Sequence, residues 1–300
     1  MTGLTLIKRA IAFCLVGLLL TACGGSGEGG GSSGGGDDGG DDTPATVTSG
    51  LVYQLDAAKY DGTTFPATGC ASLTWTELIS AFTGTLTGFS GCGSTSGWNG
   101  DGTSSDPYRL ILDGTDDRVA LGTGTIGTAV NGAGAVTVDL WVRYTSLESG
   151  KYDNNLLYVS IDGTKAGLWI NFRGDGANSG KILIAGRSQT SDSFLEKSGT
   201  TTFSSGTWIH LAGVFNIGSD ELNLGYDGSL ETPSSVSFGA ATYTQGTATA
   251  GDSLTYYNAA NDYLNGEIAY LGVYNRELTE SELSQNCNAL KSRFNGHTCN

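Results

Sequence analysis

The sequence predicts an all-β protein made of two antiparallel sheets packed face to face, and three observations support this fold class. Apolar and polar residues alternate with period two through much of the chain after residue 50. Asp-Gly pairs, which suit tight hairpin turns, separate several of these stretches. Only one stretch, near the C-terminus, has the pattern of a helix. Many short strands with turns between them are typical of a β-sandwich.

The clearest strand is AVTVDLWVRY, at residues 135–144. Its apolar face holds Val136, Val138, Leu140 and Val142, and its other face holds Thr137, Asp139, Trp141 and Arg143. The same pattern recurs in GLWINF (167–172), KILIAG (181–186), TWIHLAGVF (207–215), ELNLGY (221–226) and EIAYLGVY (267–274). Hairpin turns are predicted at Asp113-Gly114, Asp162-Gly163 and Asp227-Gly228.

The predicted helix lies in LTESELSQNCNALKSRFNG, at residues 278–296. Thr279 and Glu282 have the spacing of a capping box, and Leu278 and Leu283 that of a hydrophobic staple. Asn295-Gly296 is a typical helix stop.

The N-terminus has the pattern of an export signal. Lys8 and Arg9 precede a mostly apolar run over residues 10–20, which is too short to span a bilayer. Leu20-Thr21-Ala22-Cys23 then resembles the lipobox of bacterial lipoproteins. That resemblance implies a signal peptide over residues 1–22 and a lipidated Cys23, which would anchor the protein in the membrane. Gly24, where an aspartate would resemble a retention signal, favours the outer membrane of a bacterial cell envelope.

Residues 23–50 predict a flexible tether. The segment is rich in glycine and aspartate and has almost nothing apolar to bury. A Gly-rich coil of this length has an end-to-end distance of about 30 Å. We therefore place one folded domain at residues 51–300, a size that supports a substantial core.

Net charge restricts the class of partner. The chain carries −15, and removal of Lys8 and Arg9 with the signal peptide leaves −17. Such a charge argues against nucleic acid and anionic lipid surfaces as partners, and it is compatible with cations and neutral ligands.

Cys70, Cys92, Cys287 and Cys299 remain after export and lipidation. An even number in an exported chain predicts disulfides, with three possible pairings. Proximity in sequence favours Cys70–Cys92 and Cys287–Cys299, and free buried thiols are the alternative.

Taken in order, these segments resemble the laminin-G-like domains of the concanavalin A-like lectin/glucanase jelly-roll family. LDGTDDRVAL resembles the FDGxxDYV element of that family, VTVDLWVRYTS its FTISAWVKP strand, and TWIHLAGVFN its WHHVAGVYD strand. DYLNGEIAYLGVYNRELTESEL resembles FNGEIDEVRIYNRALSAEEI. The resemblance covers nearly all of residues 50–294 and implies a concanavalin A-like sandwich with one short C-terminal helix.

DGTDDRVALG brings three acids, Asp113, Asp116 and Asp117, within five positions. A glycosidase needs two carboxyl groups facing each other across a substrate. Glucanases of this fold carry an E-x-D-x-x-E strand pattern, which this chain lacks. We therefore interpret the acids as a turn and predict no enzymatic activity. His210, beside Trp208 in a strand, is expected to be an ordinary packed histidine.

The resemblance also implies a structural or ligand-bridging calcium ion, since members of the family often carry one. Calcium binds six to eight oxygen ligands. The candidate ligands are Asp116 and Asp117, joined from neighbouring strands by Asp56, Asp262 or Glu267. The alternative is a solvated acidic turn.

Trp141, flanked by Asp139 and Arg143, is the first candidate for carbohydrate binding, because an aromatic ring stacks on a sugar while polar neighbours bind hydroxyls. Trp169 is a second candidate, and Tyr256, Tyr257 and Tyr263 could form a rim site. The alternative for Trp141 is cover by a crossing segment. Our leading hypothesis is a non-catalytic surface domain that binds carbohydrate or a protein partner. The alternatives are an assembly lipoprotein without a glycan ligand and, less favoured, a divergent glycan-active enzyme.

Overall fold

The computed structural model describes residues 45–60, 65–66, 68–80, 82–90, 92–123, 126, 132–151, 154–160, 166–188, 193–239, 247–251 and 262–300. The predicted signal peptide, Cys23 and most of the predicted tether lie outside these residues. Among the described residues, no helix has the length and apolar character needed to cross a membrane.

Sheet A contains nine strands in the described part of the chain. They are β1 (Leu51–Asp56), β4 (Gly97–Asn99), β5 (Arg109–Asp113), β7 (Val136–Ser146), β12 (Ile209–Asn216), β13 (Glu221–Tyr226), β14 (Ser229–Leu230), β15 (Ser234–Ser235) and β17 (Asn265–Tyr274). The order is β14-β13-β12-β7-β17-β5-β4, with β15 paired to β13. The first half of β17 pairs with β5 and its second half with β1.

Sheet B contains the other eight described strands. They are β2 (Thr74–Thr76), β3 (Thr83–Thr87), β6 (Arg118–Thr123), β8 (Asn154–Ser160), β9 (Ala166–Phe172), β10 (Lys181–Arg187), β11 (Phe194–Thr202) and β16 (Thr247–Ala250). The order is β11-β10-β9-β8-β16-β6-β3-β2, and every pairing is antiparallel.

The main core lies between the two sheets. Leu140 and Val142 of β7 enter it from sheet A, and Leu168, Ile170 and Phe172 of β9 enter it from sheet B. All five side chains are buried because alternate residues of each strand point to the same face. The predicted two-sheet antiparallel sandwich is confirmed.

The predicted C-terminal helix is present as α1 (Glu280–Leu290). The Thr279 hydroxyl accepts from the backbone N–H of Glu282, and the Glu282 carboxylate accepts from that of Thr279, so the capping box is complete. The helix ends before the predicted Asn295-Gly296 stop. A 3₁₀ turn over Lys291–Arg293 follows it and leads to Phe294.

Two disulfides join Cys70 to Cys92 and Cys287 to Cys299, the pairing that proximity favoured. The second disulfide connects α1 to the C-terminal tail. It therefore brings the last residues of the chain back along the helix.

The three predicted Asp-Gly turns have different outcomes. Asp227 and Gly228 both have positive φ, 53° and 95°, and join the paired strands β13 and β14 as a two-residue hairpin turn. The hairpin predicted at Asp113-Gly114 is wrong, because β5 lies in sheet A and β6 in sheet B. Asp162-Gly163 lies outside the described residues.

The domain begins earlier than the predicted boundary at residue 51. Val47 is buried, and its backbone N–H donates to the Asn286 side chain over 2.7 Å. Chain contacts define a compact unit over Thr43–Asn300. The last residues of the predicted tether, 45–50, therefore belong to the folded domain.

Candidate functional site

The outer face of sheet A is sealed by the protein's own C-terminus. Trp141, predicted to stack on a sugar, is 0% exposed. Its ring stacks on Phe294, with centroids 4.0 Å apart, and it packs in one cluster with Cys287 and Leu290 of α1. The predicted binding role of Trp141 is wrong, because these side chains occupy the space that a sugar would need.

Asp139, the second residue predicted to bind ligand on this face, is also buried. One carboxylate oxygen lies 2.7 Å from Nε2 of His210, and the other accepts a 2.7 Å hydrogen bond from Asn286 on α1. His210 is itself buried against the Trp141 ring. Asp139 therefore holds the helix to the sheet, and its predicted role in ligand binding is wrong.

A buried polar network extends from Asp139 to the N-terminal segment. The Asn286 amide donates to the Tyr274 hydroxyl over 3.0 Å and accepts from the Val47 N–H. Tyr274 in turn donates to the Val47 carbonyl over 3.0 Å. Burial, together with the negative charge of Asp139, raises the pKa of Tyr274, so its hydroxyl stays protonated. The segment before β1 is thus hydrogen-bonded to α1.

Arg143, the third residue predicted on this face, is engaged by Glu267. Its guanidinium donates to both carboxylate oxygens, over 2.8 and 2.9 Å, and lies over the ring of Trp208. Nε of Arg109 lies 2.6 Å from the same carboxylate. Two arginines therefore neutralise Glu267, and its predicted role as a calcium ligand beside Asp116 is wrong.

Two other predicted calcium ligands also lie apart from Asp116 and Asp117. Asp56 accepts two hydrogen bonds from Arg293, over 2.7 and 3.0 Å. Asp262 is buried, and its carbonyl accepts from the backbone N–H of Asn155. Neither belongs to the acidic group around Asp116. The prediction that Asp56 and Asp262 join Asp116 and Asp117 as calcium ligands is therefore wrong.

The loop from β5 to β6 brings Asp113, Asp116 and Asp117 together. One carboxylate oxygen of each lies within 4.8 Å of the other two. Asp116 is exposed, whereas Asp117 is 0% exposed. Oδ2 of Asp117 accepts from the Ser96 hydroxyl over 2.8 Å and from the Asp113 backbone N–H over 3.0 Å. Burial raises the pKa of Asp117 to about 6 against the effect of these two bonds.

The outer face of sheet B carries a second aromatic and polar cluster, which we call the outer patch. It consists of Tyr158, Trp169, Asn171, Leu183, Ala185, Arg187 and Phe194. Leu168, Ile170 and Phe172 enter the central core, so Trp169 and Asn171 between them point to the opposite face. Trp169, Tyr158, Leu183 and Ala185 pack with Phe194 as a cluster separate from that core.

Strand register sets the arrangement of the outer patch. Trp169 pairs with Tyr158 on one neighbouring strand and with Ala185 on the other. Its ring meets Phe194 edge to face, with centroids 5.5 Å apart. The Arg187 guanidinium lies 4.9 Å from the Phe194 ring centroid. Phe194, on the edge strand β11, is the partly exposed member of the patch, whereas the other six members are each 7% exposed or less.

Among the residues of this patch, the sequence pattern predicted a binding role for Trp169 alone. Period two within GLWINF places Asn171 on the same face as Trp169, a signal that was available. Tyr158, Arg187 and Phe194 join them through register between strands, which a single sequence does not specify. The role predicted for Trp169 in binding stays a prediction. Tyr263 is described, whereas Tyr256 and Tyr257 lie outside the described residues.

The fold is shared with proteins of known structure at low sequence identity. The binding domain of botulinum neurotoxin serotype C1 superimposes with a TM-score of 0.52 and 14% identity, over 80% of this chain and 52% of the toxin chain. Trypanosoma rangeli sialidase in complex with sialic acid gives 0.57 and 13%, over 84% of this chain and 35% of the enzyme. The chain thus spans about half of one and a third of the other, and the likeness concerns the fold alone.

A third similar structure is of botulinum neurotoxin type C, whose cell entry depends on interaction with two ganglioside molecules. It gives a TM-score of 0.51 at 13% identity, over 80% of this chain and 51% of that one. No curated protein sequence matches this chain significantly. The model of one family, described as the concanavalin A-like lectin/glucanases superfamily, matches residues 113–284, which is more than half of the chain. With the two-sheet topology described above, this match shows that the chain belongs to the concanavalin A-like lectin/glucanase superfamily.

Proposed function

We propose that this protein is a non-catalytic recognition domain that binds carbohydrate through the outer patch of sheet B. The observation that carries the proposal is the gathering of Trp169, Tyr158 and Phe194 with Asn171 and Arg187 on one sheet face. Sugar sites combine flat rings, which stack on the C–H faces of a pyranose, with a few placed amides and charges that bind hydroxyls.

The fold supports carbohydrate as the ligand class. The family is one of lectins and glucanases. The structural neighbours include a sialidase bound to sialic acid and botulinum neurotoxin type C, whose cell entry depends on interaction with two ganglioside molecules. The negative charge of the chain favours neutral glycans over acidic ones.

The state of the buried acids supports binding without catalysis. Glycoside cleavage by the usual mechanism needs one carboxyl group to donate a proton and a second to attack or to activate water. Glu267 and Asp56 are held by arginines, and Asp139 is held by His210 and Asn286 beneath α1. These three acids therefore serve the fold. Turnover of any substrate in a polysaccharide panel would contradict this part of the proposal.

A glycan array followed by titration calorimetry tests the binding role. We expect the full chain to bind a subset of neutral glycans. Phe194→Ala should weaken that binding at least tenfold, because Phe194 is the partly exposed ring of the patch. Trp169→Phe, which retains a ring, should weaken it less than Phe194→Ala does.

Trp208→Phe is the matched control for Trp169→Phe, because Trp208 is a partly buried tryptophan just before β12 that packs against the Trp141 cluster on sheet A. It should leave glycan affinity unchanged. Absence of any glycan signal from the folded wild-type protein would overturn the proposal, and so would equal affinity of wild type and Phe194→Ala.

The proposal includes presentation of the domain at the bacterial cell envelope by a lipid on Cys23. The lipobox-like Leu20-Thr21-Ala22-Cys23 and the Gly-rich segment after it support this location. Metabolic labelling with palmitate should mark the wild-type protein in the outer-membrane fraction. Cys23→Ser should lose the label and leave the membrane. Membrane retention of the unlabelled variant would contradict a lipid anchor.

An assembly role without a glycan ligand has no comparable support in the described part of the chain. Such a role predicts a contiguous exposed apolar surface. Leu73 and Ile79 are the two large apolar side chains exposed among the described residues, at 49% and 50%.

A further inference from the structure

The C-terminal disulfide lies beside a histidine that a carboxylate orients. A ring nitrogen of His297 and the sulfur atoms of Cys287 and Cys299 lie within 4.8 Å of one another. Nε2 of His297 is 2.8 Å from Oδ1 of Asp227. The imidazole also packs edge to face with Trp141, with ring centroids 4.6 Å apart. His297 therefore has a fixed position next to the disulfide.

The backbone around Asp227 holds both this carboxylate and the end of the chain. Asp227 lies in the two-residue turn between β13 and β14. Its N–H donates to the His210 carbonyl over 3.0 Å, and its own carbonyl accepts from the Asn300 N–H over 2.6 Å. The C-terminal tail is thus attached to the hairpin by hydrogen bonds, so it does not depend on the disulfide alone for its position.

The two sulfur atoms of this disulfide differ in access and in surroundings. Cys299 is partly exposed, whereas Cys287 is 0% exposed. An external thiolate therefore reaches Cys299 and displaces Cys287 as the leaving group. Cys287 lies in the last turn of α1, where burial and the helix dipole both disfavour a thiolate. The leaving sulfur needs a positive charge close by.

His297 in its protonated form supplies that charge. A cation within about 4–6 Å favours an ionised thiol, and a thiol that ionises more readily is a better leaving group. Both ring nitrogens of a protonated imidazole are donors. One N–H therefore remains available for the leaving sulfur while Nε2 donates to Asp227.

The other disulfide lacks these neighbours. In the described part of the chain, no histidine or carboxylate group lies within 4.8 Å of both sulfur atoms of Cys70 and Cys92. Both of these cysteines are partly exposed, so access to solvent does not favour Cys287–Cys299 over Cys70–Cys92. The protein therefore contains a control disulfide that differs in its electrostatic surroundings.

We propose that Cys287–Cys299 is a thiol–disulfide exchange site that accepts two electrons from a dithiol partner, with His297 stabilising the leaving sulfur. A thiolate of the partner bonds to Cys299 Sγ, the S–S bond breaks, and its electron pair goes to Cys287 Sγ, which takes a proton from His297. His297 then regains from solvent the proton that the first thiol released.

The second thiol of the partner completes the exchange. It attacks the mixed disulfide at the partner's own sulfur, and Cys299 leaves with the electron pair and takes the proton of that thiol. The partner thereby becomes a disulfide, and the chain gains two thiols. The hydrogen bonds of Asn300 and His297 to Asp227 keep the two cysteines close together for reoxidation.

Timed reduction of the oxidised full chain by dithiothreitol at neutral pH tests the site. Quenching with iodoacetamide, followed by peptide mapping, gives a separate rate for each disulfide. We expect Cys287–Cys299 to open about tenfold faster than Cys70–Cys92, because its leaving thiolate is stabilised. Equal rates, or faster opening of Cys70–Cys92, would overturn the proposal.

His297→Gln is the informative variant, because glutamine retains a hydrogen-bond donor for Asp227 and carries no positive charge. It should slow the opening of Cys287–Cys299 about tenfold. An unchanged rate for Cys70–Cys92 shows that the variant is folded. Thr298→Ala, which changes an exposed residue of the same tail, is the control and should react as wild type does. Unchanged or faster opening in His297→Gln would overturn the proposal, because His297 would then serve only to hold the tail.

Discussion

The outer faces of the two sheets carry similar residues, but different segments pack against them. On sheet A, Trp141 lies between Asp139 and Arg143 in sequence, and the helix α1 and Phe294 seal it. On sheet B, Trp169 lies beside Asn171 and meets Phe194 on the edge strand β11. The same alternating pattern thus produces a helix-docking surface on one sheet and the outer patch on the other.

The difference teaches that an aromatic residue on the polar side of a strand does not by itself indicate a ligand site. Trp141 has the sequence context expected of a sugar platform. It is not accessible to a sugar, because a helix about 140 residues further along the chain packs over it. What covers a sheet face is a tertiary property, and on sheet A the cover is the protein's own C-terminal segment.

The largest expected effect comes from Trp141→Ala. Removing a fully buried indole from between α1 and sheet A should lower the free energy of unfolding by about 3–5 kcal/mol. Denaturant unfolding measures the loss. The surviving folded protein should retain wild-type glycan affinity, since Trp141 lies on the sealed face.

Trp169→Ala makes the equivalent change on the outer face of sheet B. It should lower the unfolding free energy by less than Trp141→Ala does and reduce glycan affinity more. Equal losses of stability, with no change in binding, would show that the outer patch serves the fold alone.

A smaller effect is expected from Asn286→Ala. This change leaves the Val47 N–H and one oxygen of Asp139 buried without a partner, which should cost about 2 kcal/mol or more. Asn288→Ala is the control on the same helix, because the hydrogen bonds of the Asn288 amide are local and part-buried: it donates to Ser284 and accepts from Lys291. Its loss should stay below about 1 kcal/mol. Denaturant midpoints of the two variants provide the measurement, and similar midpoints would contradict the importance of the buried network.

The smallest effect concerns pH. Hydrogen bonds from Arg276, aided by the Thr279 backbone, lower the pKa of Glu282 to about 2. The folded state therefore binds this proton more weakly than the unfolded state, where the pKa is near the ordinary 4.5. The stabilisation is complete above about pH 4.5 and is lost as the pH falls towards 2.

Glu282→Gln should remove that pH-dependent contribution. Because both side chains of the ion pair are about a quarter to a third exposed, we expect less than about 1 kcal/mol. Unfolding curves of both proteins between pH 2 and 6 check this. The two should differ most above pH 5 and converge near pH 2, whereas a constant difference would contradict the assignment.

Local patterns predicted much of the fold. Alternation in AVTVDLWVRY correctly separated core residues such as Leu140 from outward residues such as Trp141, because the side-chain period of a strand is fixed. The Thr279–Glu282 spacing predicted the start of α1, since a capping box is formed within one turn. The two disulfides followed the shortest sequence separations.

Features that depend on contacts between distant segments could not be predicted. The Asp113-Gly114 turn has hairpin composition, but the sheet that each flanking strand joins depends on the whole topology. Val47 is a single apolar residue in a polar segment, and its burial depends on Asn286, 239 residues away. Glu267 and Asp56 were predicted to join the acidic loop around Asp116, but each meets an arginine, Arg109 or Arg293, that is remote in sequence.

The contacts of α1 have a mechanical consequence. Gln285 donates to the carbonyl of Ala45, at the start of the described chain, and the neighbouring Ser284 donates to the carbonyl of Asn300. One turn of helix therefore holds both extremities of the domain. A pull on the N-terminal segment is transmitted to this helix and to the β1–β17 pair in sheet A, so that tension bypasses the sheet that carries the outer patch.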